Sequence, residues 1–213
     1  MESYRTFLKD FATDSFTEKK SEFISYAARV ENEEDAKAFL EKIRKKHADA
    51  THNCYAYILR GTGTARFSDD GEPSGTAGMP ILEVLKREGL TGVCVVVTRY
   101  FGGILLGAGG LVRAYAKGAK LGIDAAGVAD FVPYVCFSAA VSYAEHDKLV
   151  HEMPKYGIIC DDVIYEANVT LYMRAKNQDF EKFCSFITDY TSGRAVCSVN
   201  GTTFGADTAP QIS

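Results

Sequence analysis

No apolar run in this 213-residue chain approaches the ~20 residues that a helix needs to cross a bilayer. No membrane association is therefore expected. The first residues, Met1-Glu-Ser-Tyr-Arg-Thr-Phe7, have neither a basic start nor an apolar centre, so they do not read as a secretory signal. By default the chain is placed in the cytoplasm. Paired cysteine motifs are missing too. The six cysteines, at positions 54, 94, 136, 160, 184 and 197, lie far apart in apolar segments, with no Cys-x-x-Cys and no Cys/His cluster at zinc spacing. They read as reduced thiols packed like small hydrophobes, and neither a metal nor a cofactor is expected.

A basic excess is also absent. The net charge is −4 and the pI about 5.6, which weighs against a non-specific grip on long nucleic acid. The charge is uneven. Residues 1–130 hold 18 basic and 18 acidic side chains, whereas residues 131–213 hold 6 and 10. Any local basic groove belongs to the first part. Arg44-Lys-Lys-His47 reads as the solvated, dipole-complementing end of a helix.

What the chain does have is glycine in one place. Five of the twelve residues from Arg99 to Gly110 are glycines: 102, 103, 107, 109 and 110. Before them, Val93-Cys-Val-Val-Val-Thr98 reads as a strand buried on both faces. After them, Leu111, Val112, Tyr115, Ala116, Ala119 and Ile123 recur at helical spacing. Strand, glycine loop and helix, with Arg99 and Arg113 at the ends, are the ingredients of an anion site. Known phosphate motifs do not fit. Ala108 stands where a Walker lysine belongs, and Val112 fails the last position of the dinucleotide fingerprint. From glycine content alone, tight strand-to-helix packing is the commoner role.

A second loop, Ser68-Asp-Asp-Gly-Glu-Pro-Ser-Gly-Thr-Ala-Gly78, carries Asp69, Asp70 and Glu72. Such carboxylates can bind a cation or move protons, but are more often a solvated turn. His52 and Cys54, two apart on a strand, share a face at a spacing too wide for a direct hydrogen bond. A catalytic pair there is not favoured.

The rest of the chain divides near Gly127–Pro133. Before it come strands over 21–30, 53–60, 64–67 and 92–98, and helices from Asn32, over 80–86 and over 111–126. After it the order strand, helix, strand, strand, helix, strand is the ferredoxin-like arrangement. The expected domains are 1–130 and 131–205, with a frayed tail over 206–213.

Three blocks, His52-Asn-Cys-Tyr-Ala56, Phe67 to Pro80 and Arg99 to Ala114, resemble the YigZ/Impact family of small cytosolic proteins, in its bacterial type. The resemblance implies an α+β fold. Its N-terminal domain would be similar to the second domain of a small-subunit ribosomal protein, and its ferredoxin-like βαββαβ domain to a domain of elongation factor G. It also implies a non-catalytic regulator of translation initiation or of the stress response, with RNA, the ribosome or a translation factor as partner. His52, Asp69, Asp70, Glu72, Arg99, Tyr100 and Arg113 would then form one exposed surface, with Thr76, Gly102, Gly103, Gly107, Gly109 and Gly110 completing an anion- or ligand-binding site. No catalytic residue is assigned. The alternative is a small-molecule enzyme or sensor that holds a phosphorylated ligand at the glycine loop.

Overall fold

The structure is a computed structural model that describes residues 2–207. Residues Tyr4–Asp130 form one compact unit, and the chain from Phe131 forms the other, with which Glu2 and Ser3 group.

The first unit is an antiparallel sheet covered on both faces. The strands of this unit are β1 (Tyr4–Phe7), which is not part of that sheet, β2 (Phe11–Glu18), β3 (Ser21–Arg29), β4 (His52–Ile58), β5 (Ala65–Ser68) and β6 (Val93–Tyr100). Five of them lie side by side in the order β2-β3-β6-β4-β5. Helices α2 (Gly78–Arg87) and α3 (Ala108–Ala126) pack on one face. Helix α1 (Glu33–Lys46) packs on the other, through Ala36, Leu40 and Ile43. Central β6 is consequently apolar on both sides. Val93, Val95 and Val97 meet α2 and α3, while Cys94 and Val96 meet α1. Asn32 caps α1, its side chain accepting the Asp35 amide at 2.8 Å, as its place before three acidic residues predicts.

Two expectations change. β1 and β2 escape the sequence reading because β2 is an edge strand, with only Ala12 buried, and shows no apolar alternation. His47 is not part of a solvated helix end. It is buried, with Nε2 2.6 Å from the Tyr26 hydroxyl and Nδ1 2.9 Å from that of Tyr100. The Tyr100 hydroxyl donates to Asp49 at 3.0 Å, so His47 Nδ1 donates to Tyr100 and Nε2 accepts from Tyr26. Burial pushes the His47 pKa down and keeps the ring neutral in this chain of bonds.

The two units divide between Asp130 and Phe131, and no break marks the division: β7 (Val128–Val141) runs straight through. The second unit continues with α4 (Tyr143–Glu152), a 3-10 turn at Met153–Tyr156, β8 (Ile159–Tyr165), β9 (Val169–Ala175), α5 (Asn177–Tyr190) and β10 (Ser198–Ala206). The pairings β10–β7, β7–β9 and β9–β8, all antiparallel, give the ferredoxin-like order. Phe137, Leu149, Leu171, Phe183 and Ile187 fill its core. Ala206, expected in the tail, belongs to β10; residues 208–213 lie outside the described residues.

The start of α4 carries a pH-dependent lock. The Glu145 carboxylate accepts from the Ser142 hydroxyl at 2.6 Å, the Ser142 amide at 2.9 Å and the Arg194 guanidinium at 2.7 Å. These bonds, the Ser142 hydroxyl first, hold its pKa at about 2 against an ordinary 4.5. A carboxyl lowered in the folded state contributes stability that is complete above its unfolded pKa and lost as pH falls through the folded one. Acid unfolding of α4, followed by amide exchange, is expected to steepen between pH 4.5 and about 2. Glu145→Gln should flatten that step, and an unchanged profile would refute the assignment.

Candidate ligand-binding site

Strand periodicity decides which predicted residues meet. Arg99 follows Val93, Val95 and Val97 onto the α2/α3 face of β6, whereas Tyr100 points to the α1 face and joins His47 and Asp49. Tyr100 is therefore not part of one surface with Arg99. On the Arg99 side, Nη1 donates to Glu72 Oε1 at 2.7 Å, and the side chains are only 5% and 3% exposed. The same oxygen accepts from the Tyr115 hydroxyl at 2.7 Å. Its partner Oε2 lies 3.8 Å from His52 Nε2. Arg99 Nη2 reaches Ser21 Oγ at 3.3 Å, and that oxygen also accepts the Gly102 amide at 3.2 Å. The guanidinium carbon lies 5.5 Å from the Phe23 ring centre and 5.4 Å from that of Phe101.

His52, Glu72 and Arg99 thus come together, but facing inward, whereas the Asp70 side chain turns to Asn53 and Arg44. The expectation of an exposed face fails for Glu72 and Arg99, both buried. The physical reason is pairing. Neither charge could be buried alone, and each neutralises the other inside the fold.

The two aspartates of the loop do separate work on the backbone. Asp69 accepts the amides of Gly75, Ala77 and Gly78 at 2.8, 3.0 and 2.8 Å. It caps α2, which has no side-chain cap of its own and no acid in its first turn. Asp70 accepts the Asn53 amide at 2.7 Å, and its other oxygen lies 3.4 Å from Arg44. The backbone carbonyls of Asp70 and Asp69 receive His52 Nδ1 at 2.8 Å and the Cys54 thiol at 3.0 Å. His52 and Cys54 do share a face, as alternation predicts. Burial pushes the Cys54 thiol far up, which disfavours the reactive thiolate. Thr76 is local, its hydroxyl donating to the Pro73 carbonyl at 2.6 Å. Among the described residues, no three of His, Cys, Asp and Glu sit together so as to hold a metal ion.

The glycine loop divides by role. Gly102 is pressed against the Lys19–Lys20 turn, where a Cβ would lie 2.5 Å from the Ser21 nitrogen and closer still to the Lys20 carbonyl. A Cβ on Gly110 would meet Leu106 at 2.9 Å. Gly103 and Gly107 are free of neighbours but take φ of +82° and +73°, which other residues rarely adopt. A Cβ on Gly109 would lie 3.6 Å from Arg113 Nη1, so this arginine folds back over the start of α3. That start is Ala108, three residues earlier than the apolar stripe indicates. Ser21 and Tyr115 are the site members that sequence reasoning misses. Tyr115 reads as a core residue, and its hydroxyl is the only clue that the core there is polar.

A two-unit α+β chain with an internally paired Arg–Glu centre under a glycine loop is a class for which comparison supplies the family. Residues 19–123 match the Impact N-terminal domain, and residues 140–194 match a domain of unknown function, DUF1949. The IMPACT family member YvyE of Bacillus subtilis is 38% identical over 196 residues, 92% of this chain and 90% of that protein. The family member YigZ of Escherichia coli is 50% identical over 103 residues, 47% of this chain and 50% of its own. A crystal structure described as a hypothetical protein aligns at TM-score 0.59 and 32% identity, covering 92% of this chain and 97% of its own. The chain belongs to the IMPACT family. Among its described residues, no helix is long and apolar enough to cross a membrane.

Proposed function

We propose that the protein is a non-catalytic regulatory or binding protein of the translation apparatus, contacting RNA or the ribosome through its first unit. The observation that carries this reading is a contrast within Arg99–Gly110. The groups with chemistry, Arg99 and Glu72, are spent on each other inside the fold. The loop between β6 and α3 instead turns its apolar side chains outward, with Phe101 at 45%, Ile104 at 41% and Leu105 at 81% exposure. Exposed apolar side chains gathered on one loop are characteristic of a contact surface rather than of a reaction centre. Membership of the IMPACT family adds the translational context.

The test is sedimentation of the purified protein with ribosomes through a sucrose cushion. Wild type is expected in the pellet, and Leu105→Asp at least fivefold less so, with an unchanged circular dichroism spectrum. Equal pelleting of the two, or none by wild type, overturns the proposal.

A further inference from the structure

A second feature lies beside the glycine loop and outside the Arg99–Glu72 centre. A pocket of about 240 Å³ is lined by Phe16, Leu106, Gly110 and Ala114, with Glu18, Lys19, Arg113 and Lys117 as its charged groups. Three cations face one carboxylate. None of the three is ion-paired with another described residue; the Lys117 ammonium rests 4.3 Å from the Phe16 ring centre.

Their placement runs against local preference. Arg113 is folded over the first turn of α3, the positive end of a 19-residue helix that has no side-chain cap and no acid in that turn. Lys19 belongs to a two-residue hairpin turn joining β2 to β3, in which Lys19 and Lys20 have φ of +45° and +67°. Turns of this kind favour Asn-Gly, because side chains resist positive φ. Three cations gathered around one pocket repel one another, and Arg113 also opposes the helix dipole. An anion seated among them would turn each repulsion into an attraction.

We propose that this pocket binds a phosphate group, carried by an RNA strand or by a phosphorylated small molecule. Lys19, Arg113 and Lys117 would contact its oxygens, with the free amides at the start of α3 beneath. The proposal stands on the pocket itself and does not depend on the ribosome reading, which rests on the apolar tip.

The experiment is an amide NMR titration of the full chain with sodium phosphate, uridine monophosphate and hexauridylate, against sodium chloride at matched ionic strength. Saturable shifts of Gly109, Gly110 and Leu111 are expected with the phosphates and not with chloride. The Arg113→Ala/Lys117→Ala variant, both positions being exposed, should bind at least tenfold more weakly. Tighter binding of hexauridylate than of the monophosphate identifies an RNA strand as the source, and equal binding a small phosphorylated ligand; either supports the site. Equal shifts with chloride, or unchanged affinity in the variant, overturn it. Such a failure would leave ribosome pelleting untouched, and the reverse also holds.

Discussion

Arg99→Met is expected to destabilise the first unit by about 3–5 kcal/mol, the typical loss when one partner of a buried ion pair is removed. The substitution keeps the stem volume and takes away the charge. Glu72 is left with a carboxylate 3% exposed, one tyrosine donor and a histidine 3.8 Å away. The loss should be read locally, because the chain has two units and global unfolding need not be two-state. Amide exchange in β3 and β6, which flank Arg99, is the suitable probe. Those amides should exchange roughly a hundredfold faster or more, since each 1.4 kcal/mol is a factor of about ten. Glu72→Met paired with Arg99→Met should recover part of the loss, because no unpaired charge then remains buried. The recovery is incomplete, as the Tyr115 hydroxyl loses its acceptor at a cost of about 1–3 kcal/mol. A loss below about 1 kcal/mol for Arg99→Met would mean that the pair is dispensable, and that Arg99 is held there for a ligand.

The distinction matters because the sequence leaves both readings open for Arg99. Its fold is legible wherever burial imposes a period. The β-branched run of β6, the stripes of α1 and α3 and the alternation of β7 all declare their faces. β2 does not, since an edge strand with one buried residue has no period to display. The candidate site is legible as a set of residues and less so as a geometry. Loops 68–78 and 99–110 do converge, and His52 with Cys54 does face the first of them. Whether Glu72 faces water or Arg99 depends on the position of Tyr115 forty-three residues away, which no local pattern encodes. Tyr100 is separated from Arg99 by strand alternation, a rule available from the sequence once the strand is extended to residue 100. Lys19 and Lys117 carry no motif. They enter the pocket only because the hairpin and α3 are brought together by the sheet.

Gly102→Ala is expected to have the other large effect, and it joins the packing of the loop to the pocket. A Cβ at Gly102 would overlap backbone atoms of Lys20 and Ser21, which no change of rotamer can relieve. Either the loop or the hairpin must move. Overpacking of well-fitted sites typically costs about 1–3 kcal/mol, and a backbone-to-backbone overlap belongs at or above the upper end. Gly103→Ala is the natural control. Its Cβ would meet nothing within 4 Å, but its φ of +82° leaves the strain of a left-handed residue, about 1–2 kcal/mol. Gly102→Ala should therefore lose more stability than its neighbour, measured by amide exchange in β3 and β6. It should also weaken phosphate binding, because the Gly102 contact seats the turn that carries Lys19. Gly103→Ala should leave that affinity within about twofold of wild type, given that it has no contact with the turn. Equal stability losses in the two variants would show that the loop does not rest on the hairpin. The loop would then be held by its other contacts, such as the Phe101 amide on the Thr51 hydroxyl, and Lys19 would reach the pocket without its help.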